Sequence, residues 1–148
     1  MDREWSTDSL AAGVTGWDWL GVRLSDGRDL MMYRLRDAGG RATRDSRLTL
    51  IGADGTTQQW TSDQFTLAPT AVWQSPHSGA RYPIALRLDA PGAGLRLDVR
   101  PLQEDQELRL AVTYWEGAVA LQGTVAGAPV TGEGYLELTG YRDSQRQP

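Results

Sequence analysis

The sequence contains no cysteine, no lysine and no asparagine, and it has a single histidine. The lack of cysteine excludes disulfides, thiolate nucleophiles and thiolate metal sites. The lack of lysine excludes Schiff-base chemistry on a lysine amine, and the lack of asparagine excludes N-glycosylation. One histidine cannot build a histidine-rich metal centre. We therefore expect neither a metal nor an organic cofactor.

Other absences concern membranes and nucleic acids. No apolar run reaches the roughly 18 residues of a membrane-spanning helix, and the first residues lack the basic-then-apolar pattern of a signal peptide. The net charge is −4, so nothing favours nucleic acid or an anionic membrane as a partner. We expect no nucleic-acid binding and no direct membrane insertion, and the chain alone indicates no compartment.

The 148 residues carry the period-2 pattern of an all-β protein. Apolar and polar residues alternate over most of the chain, and no stretch keeps a helical stripe of period 3.6. Turn residues recur at the spacing of roughly 8–12 residues that is typical of sandwiches and barrels. The pattern predicts one β domain over residues 1–141, with about eight to ten antiparallel strands closing into a barrel or flattened barrel, followed by a polar tail over 142–148.

The clearest unit is a hairpin of Trp17–Leu24 and Arg28–Arg36 around Asp26-Gly27. Asp-Gly between alternating runs is a strong signal for a two-residue turn. Such a turn places Val22 opposite Met31 and Leu20 opposite Tyr33 on one apolar face. On the other face it places Trp19 opposite Arg34 and Trp17 opposite Arg36, as aromatic–guanidinium pairs.

Further strands are predicted from the same alternation. They are Ile84–Asp89 and Leu95–Arg100 around Pro91–Gly94, and then Glu107–Trp115, Ala118–Val125 and Val130–Tyr141, with turns at Glu116-Gly117 and Ala126–Pro129. Inward-facing positions on these strands form the predicted core. Its members are Leu20, Val22, Tyr33, Leu86, Leu97, Val99, Leu110 and Val112.

Candidate chemistry is sparse. His77 is the only possible centre of a Ser-His-Asp triad, and it lies in a segment rich in turn-forming residues, where a solvated loop histidine is the simpler interpretation. Two clusters combine aromatic rings with carboxylates: Asp2, Glu4 and Trp5, and also Tyr114, Trp115 and Glu116. A carboxyl group in an apolar, indole-lined cavity can stay protonated and serve as a general acid. The alternative is that the rings fill a barrel end while the carboxylates face water.

Five blocks in order resemble the AttH/carotenoid 1,2-hydratase (hydroxyneurosporene synthase) family. Asp2-Arg3-Glu4-Trp5-Ser6 is similar to its Asp-x-x-Trp-Gly/Ser motif. The other blocks are Trp17-Asp18-Trp19 with the following hairpin, Ser75-Pro76 through Tyr82-Pro83, Tyr114 through Val119, and Gly134 through Tyr141. Together they cover almost the whole chain. Glu4-Trp5-Ser6 is closer to the AttH-like branch, often labelled "predicted secreted hydrolase", than to the hydratases.

The resemblance implies a pair of lipocalin-like halves with a hydrophobic pocket, of which this chain is the C-terminal one. In the hydratase branch an acid protonates an isoprenoid C=C bond and water captures the cation, without a cofactor. The residue matching that acid is Asp2. The resemblance also implies an N-terminal lipocalin-like half as partner, a hydrophobic small molecule as ligand and a periplasmic or secreted location.

Two functional hypotheses follow. In the first, the chain is the isoprenoid-, polyene- or lipid-binding domain of a hydratase- or cyclase-like protein. Asp2 is then catalytic, and the ligand contacts are Trp5, Trp17, Trp19, Tyr33 and Trp115. In the second, it is a non-catalytic lipid-binding accessory domain of a membrane transport system. A third interpretation is a purely structural half-barrel that completes its partner.

Overall fold

The computed structural model describes residues 13–142, and its regular structure is almost entirely β. The strands are β1 Val14–Leu24, β2 Asp29–Asp37, β3 Arg47–Ile51, β4 Thr57–Thr61, β5 Thr66–Gln74, β6 Arg81–Ala90, β7 Leu95–Pro101, β8 Glu107–Arg109, β9 Thr113–Val125 and β10 Ala128–Leu138. One turn of 3₁₀ helix, Pro91–Ala93, joins β6 to β7. Among the described residues there is no helix that could cross a bilayer.

All ten strands belong to one antiparallel sheet of order β4-β3-β2-β1-β10-β9-β7-β6-β5, with β8 paired to β9. The sheet curls into a half-barrel. Arg34 on β2 donates a hydrogen bond to the carbonyl of Leu67 on β5, at 3.2 Å, and so connects strands that are far apart in the order. The predictions of an all-β antiparallel fold and of eight to ten strands are confirmed.

Side chains from alternate positions fill the inner face of the curled sheet. Leu20, Leu86, Leu97 and Val99 are each 0% exposed, and Val22 is 5% exposed, as predicted. Leucines dominate this core, and Trp115 and Tyr82 are its largest fully buried side chains. The inside of the half-barrel is therefore a packed core, as in small barrels whose interior is just wide enough for side chains.

The first hairpin forms in a register one residue away from the predicted one. Leu24 pairs with Arg28 around a three-residue loop in which Gly27 has a φ of +88°. That geometry is a turn followed by a left-handed glycine, rather than a two-residue turn. Trp19 consequently pairs with Tyr33 and Trp17 with Leu35, so the predicted Trp–Arg pairs are wrong. Tyr33 is half-buried on the outer face instead of lying in the core.

Two predicted core residues, Leu110 and Val112, are wrong as well. They are 69% and 64% exposed because the chain turns between β8 and β9 instead of continuing as one strand. The predicted turn at Glu116-Gly117 is instead the interior of β9. The side chain of Gln106 packs over Gly117 and occupies the space that a Cβ would fill.

Candidate functional site

Three of the predicted site residues lie together on the outer face of β1 and β2. Trp19 pairs directly with Tyr33, and Trp17 is two positions from Trp19 on the same face. All three side chains are half-buried. Period-2 alternation correctly predicted that the two tryptophans share a face. Residues two positions apart in one strand always lie on the same face, whatever the register of the hairpin.

Trp115 does not join them. It is 0% exposed and belongs to the core on the opposite face of the sheet. Its indole Nε1 donates a hydrogen bond to the carbonyl oxygen of Glu104, 2.7 Å away, which fixes the loop before β8. Trp115 is therefore a packing residue within this domain and not part of the wall that Trp17 and Trp19 form.

The remaining candidate residues add nothing to this outer-face surface among the residues that the structure describes. Asp2 and Trp5 lie outside the described residues. The His77 ring is exposed and lies 3.7 Å from the exposed carboxylate of Asp105, so this pair has the character of a surface contact. Among residues 13–142 no three His, Cys, Asp or Glu side chains converge in a way that could hold a metal ion.

The aromatic surface extends beyond the predicted residues. The Trp19 ring lies over Gly21, whose missing side chain makes room for it. Gly21 pairs with Tyr135 on β10, and Tyr135 is 57% exposed. We call Trp17, Trp19, Tyr33 and Tyr135 the aromatic stripe. Sequence reasoning missed Tyr135, although its alternation with buried Leu136 and Leu138 was a usable signal.

Small and apolar residues continue the stripe toward β7. Tyr135 pairs with Ala118 on β9, and the backbone N–H of Leu102 bonds to the Ala118 carbonyl at 2.9 Å. Leu102 is 61% exposed. The outer face thus carries an apolar row across several strands. The small side chain of Ala118 leaves a shallow depression between Tyr135 and Leu102.

Carboxylates border this row on one side. Glu137 pairs with Trp19 across β1–β10 and with Glu116 across β10–β9. Burial, and then the negative charges of Glu116 and Glu137, raise the pKa of the neighbouring Tyr114 phenol. An aromatic surface and acidic side chains therefore lie next to each other on the outer face.

A groove of about 550 Å³ borders the row on the other side. Its walls include Arg23, Glu133 and Arg100, which lie on β1, β10 and β7, and its floor includes Ala120. These positions are in register across the sheet, since Arg23 pairs with Glu133, Glu133 with Ala120 and Ala120 with Arg100. The groove is thus the next row of the same outer face.

Asp18 anchors a buried polar cluster on the inner face. Its carboxylate has no exposed surface and accepts hydrogen bonds from Arg34 Nε at 2.6 Å and from the Tyr141 hydroxyl at 2.8 Å. Arg36 Nε lies 3.3 Å from Oδ1, the same carboxylate oxygen that accepts from Tyr141, and its guanidinium sits 3.9 Å above the centroid of the Tyr141 ring. Burial, and next the Asp18 charge, raise the pKa of Tyr141, so its phenol stays protonated and keeps donating.

A second polar cluster surrounds Glu107. Ser75 Oγ and the Tyr82 hydroxyl donate to its carboxylate at 2.7 and 3.0 Å, and Ser78 Oγ donates to it as well. Burial alone would raise the pKa of Glu107, but the bonds from Ser78, Ser75 and Tyr82 together lower it. Since the serines belong to the loop before β6, this cluster fastens that loop to β8.

These features define a class of protein: a lipocalin-like half-barrel with a packed interior and an aromatic outer face. Residues 1–141 match the family described as AttH-like, and the chain belongs to that family. The resemblance to an AttH-like family that the sequence indicated is thereby confirmed.

Two solved structures have the same fold. A Nitrosomonas europaea protein assigned as an AttH superimposes with a TM-score of 0.80 at 36% identity, over 93% of this chain and 42% of that one. Kievitone hydratase from Nectria haematococca has the same fold, with a TM-score of 0.73 at 23% identity, over 89% of this chain and 41% of that one. The chain thus spans about two fifths of the length of each. No curated protein matches it detectably.

Proposed function

We propose that this chain is the apolar-ligand-binding domain of a hydratase- or cyclase-like AttH protein that acts by acid catalysis without a cofactor. The observation that carries the proposal is the aromatic stripe, in which Trp17, Trp19, Tyr33 and Tyr135 share one outer face. The ligand class is an isoprenoid, polyene or lipid-like molecule.

The outer face is favoured because the inner face is already filled by core side chains. Indole and phenol rings offer apolar area, and their π-faces also stabilise a developing carbocation. The name of the kievitone hydratase neighbour supports hydration as the reaction class. An N-terminal lipocalin-like half, packed over the stripe, would enclose the ligand and exclude water from it.

The binding role can be tested with Trp19→Leu. Replacing the central ring of the stripe should weaken binding of geranylgeraniol, a neutral C20 isoprenoid, by about 3–10-fold, because one aromatic contact is lost. Titration calorimetry on the whole chain measures the change. Trp60→Leu is the matched control, since Trp60 packs against the core from the edge strand β4. If Trp19→Leu and wild type bound geranylgeraniol with equal affinity, the aromatic stripe would not be the binding surface.

The catalytic role is proposed for Asp2, with Trp5 beside it. Asp2→Asn removes a proton donor but little volume, so in a full-length protein with both lipocalin-like halves it should abolish turnover and leave apolar-ligand binding nearly unchanged. Product formation and binding are measured on the same preparation. Full turnover in the Asp2→Asn variant would exclude this acid, and an absence of turnover in wild type together with intact binding would favour the non-catalytic accessory role in lipid transport.

A further inference from the structure

We propose that the groove beside the aromatic stripe binds an anionic head group through Arg100, so that the ligand is an apolar chain ending in one acidic group. This inference rests on the proposed function, because the stripe must hold the chain for the groove to hold its head. It adds a part of the site, and a chemical class of ligand, that the stripe alone does not specify.

Arg100 is the cation that the fold leaves available there. Within residues 13–142 its side chain makes no hydrogen bond and no close ion pair, and it is exposed on the outer face of β7. Its charge acts through space on Asp98, two residues away on the same strand, but no contact holds the guanidinium in place. Its neighbour across the sheet is Ala120, whose small side chain leaves the space above it open. A guanidinium presents donors in a planar fork that matches a carboxylate or a phosphate.

Two other charged groups of the groove already have partners. Arg23 pairs with Asp29 at 2.8 Å, and Asp98 accepts a hydrogen bond from Arg87 at 2.8 Å. Glu133 stands two strands from Arg100 in register, which corresponds to about 10 Å at the usual strand spacing. At that distance and exposure its repulsion of an anion at Arg100 is largely screened at physiological salt.

The groove and the stripe are close enough for one ligand. Tyr135 and Glu133 are two residues apart on β10, as are Ala118 and Ala120 on β9, so adjacent rows are separated by about 7 Å. A C20 isoprenoid is longer than this separation. Its tail can therefore lie along Trp19, Tyr135 and Leu102 while its terminal group reaches Arg100.

The test compares geranylgeranoic acid with geranylgeraniol, which share one chain and differ in charge. Wild type should bind the acid about 3–10-fold more tightly than the alcohol. Arg100→Gln should remove that preference and leave the affinity for the alcohol unchanged. Arg96→Gln is the matched control, because Arg96 lies on the outer face of the same strand but outside the groove lining. Glu133→Gln should slightly tighten binding of the acid. Geranylgeranyl monophosphate, added as a third ligand, shows whether a phosphate or a carboxylate is the better head group.

The outcomes separate this inference from the function on which it rests. A preference for the acid that Arg100→Gln abolishes and Arg96→Gln retains supports the head-group site. Equal binding of acid and alcohol, or equal loss of the preference in both arginine variants, overturns it while the stripe remains a binding surface. Failure of both ligands to bind wild type overturns the proposed function itself.

Discussion

Asp18 is a carboxylate without exposed surface, held between two guanidiniums and a phenol. Burying a charge costs several kcal/mol unless partners of opposite sign surround it. Here the same residue organises three elements, since Arg34 and Arg36 come from β2 and Tyr141 follows β10. The cluster specifies how β1, β2 and the chain after β10 fit together, and it does so from within the core.

Asp18→Asn should therefore destabilise the domain by about 3–5 kcal/mol, because it leaves the buried guanidinium of Arg36 and the partly buried one of Arg34 without their counter-charge. Urea unfolding followed by tryptophan fluorescence measures this as a lower midpoint. The matched control is Asp29→Asn, which breaks an exposed pair with Arg23 and should cost about 1 kcal/mol or less. Equal midpoints for the two variants would show that the buried cluster contributes no more than a surface pair.

At the scale of elements, the turn after β1 determines which side chains of β2 lie on the inner face of the sheet and which on the outer face. Asp26-Gly27 is compatible with a two-residue loop and with a three-residue loop that ends in a left-handed glycine, and the sequence motif alone does not separate them. Because the side-chain period is two, a shift of one residue moves Arg34 from the outer face to the inner one. The charges offered a way to choose between the two registers. Alternation places Asp18 on the inner face with Leu20 and Val22, and a buried carboxylate needs a cation beside it. Only the observed register supplies one, because it places Arg34 on that face.

Strand β8 is held to the loop before β6 by the carboxylate of Glu107, and the hydrogen bonds to this carboxylate favour its ionised form. The pKa of Glu107 lies below its ordinary value of 4.5 in the folded protein, so the stabilisation it provides is present above that value and is lost as the pH falls through the folded pKa. Glu107→Gln should lower stability near neutral pH and should flatten the further loss between about pH 5 and pH 3.

Urea midpoints across that pH range measure the effect. Glu104→Gln, an exposed neighbour in the preceding loop, is the control and should follow the wild-type curve. A Glu107→Gln curve parallel to wild type would mean that the serine and tyrosine hydrogen bonds do not couple this carboxylate to folding.

At the scale of the whole molecule, the class and most strands could be predicted because alternation survives wherever a strand has one buried face. The strands around Ile84–Asp89 and Leu95–Arg100 are examples. The environment of Trp115 could not be predicted, because Glu116-Gly117 has the composition of a turn. Gly117 instead lies inside β9, with the side chain of Gln106 packed over it. Alternation predicts that Tyr135 faces outward, but only the strand order brings it next to Trp19 and places Arg100 beside the stripe, and local patterns do not contain the strand order.

The pairing of β1 with β10 has a kinetic consequence. The first described strand and the last one lie side by side in the middle of the sheet order, so the sheet cannot be continuous until β10 has been synthesised. Contacts between residues so distant in sequence require closure of a long loop before they stabilise anything, and folds dominated by them are slow. During synthesis on the ribosome, no strand pairing can join β1–β4 to β5–β9 until β10 emerges and pairs with both β1 and β9.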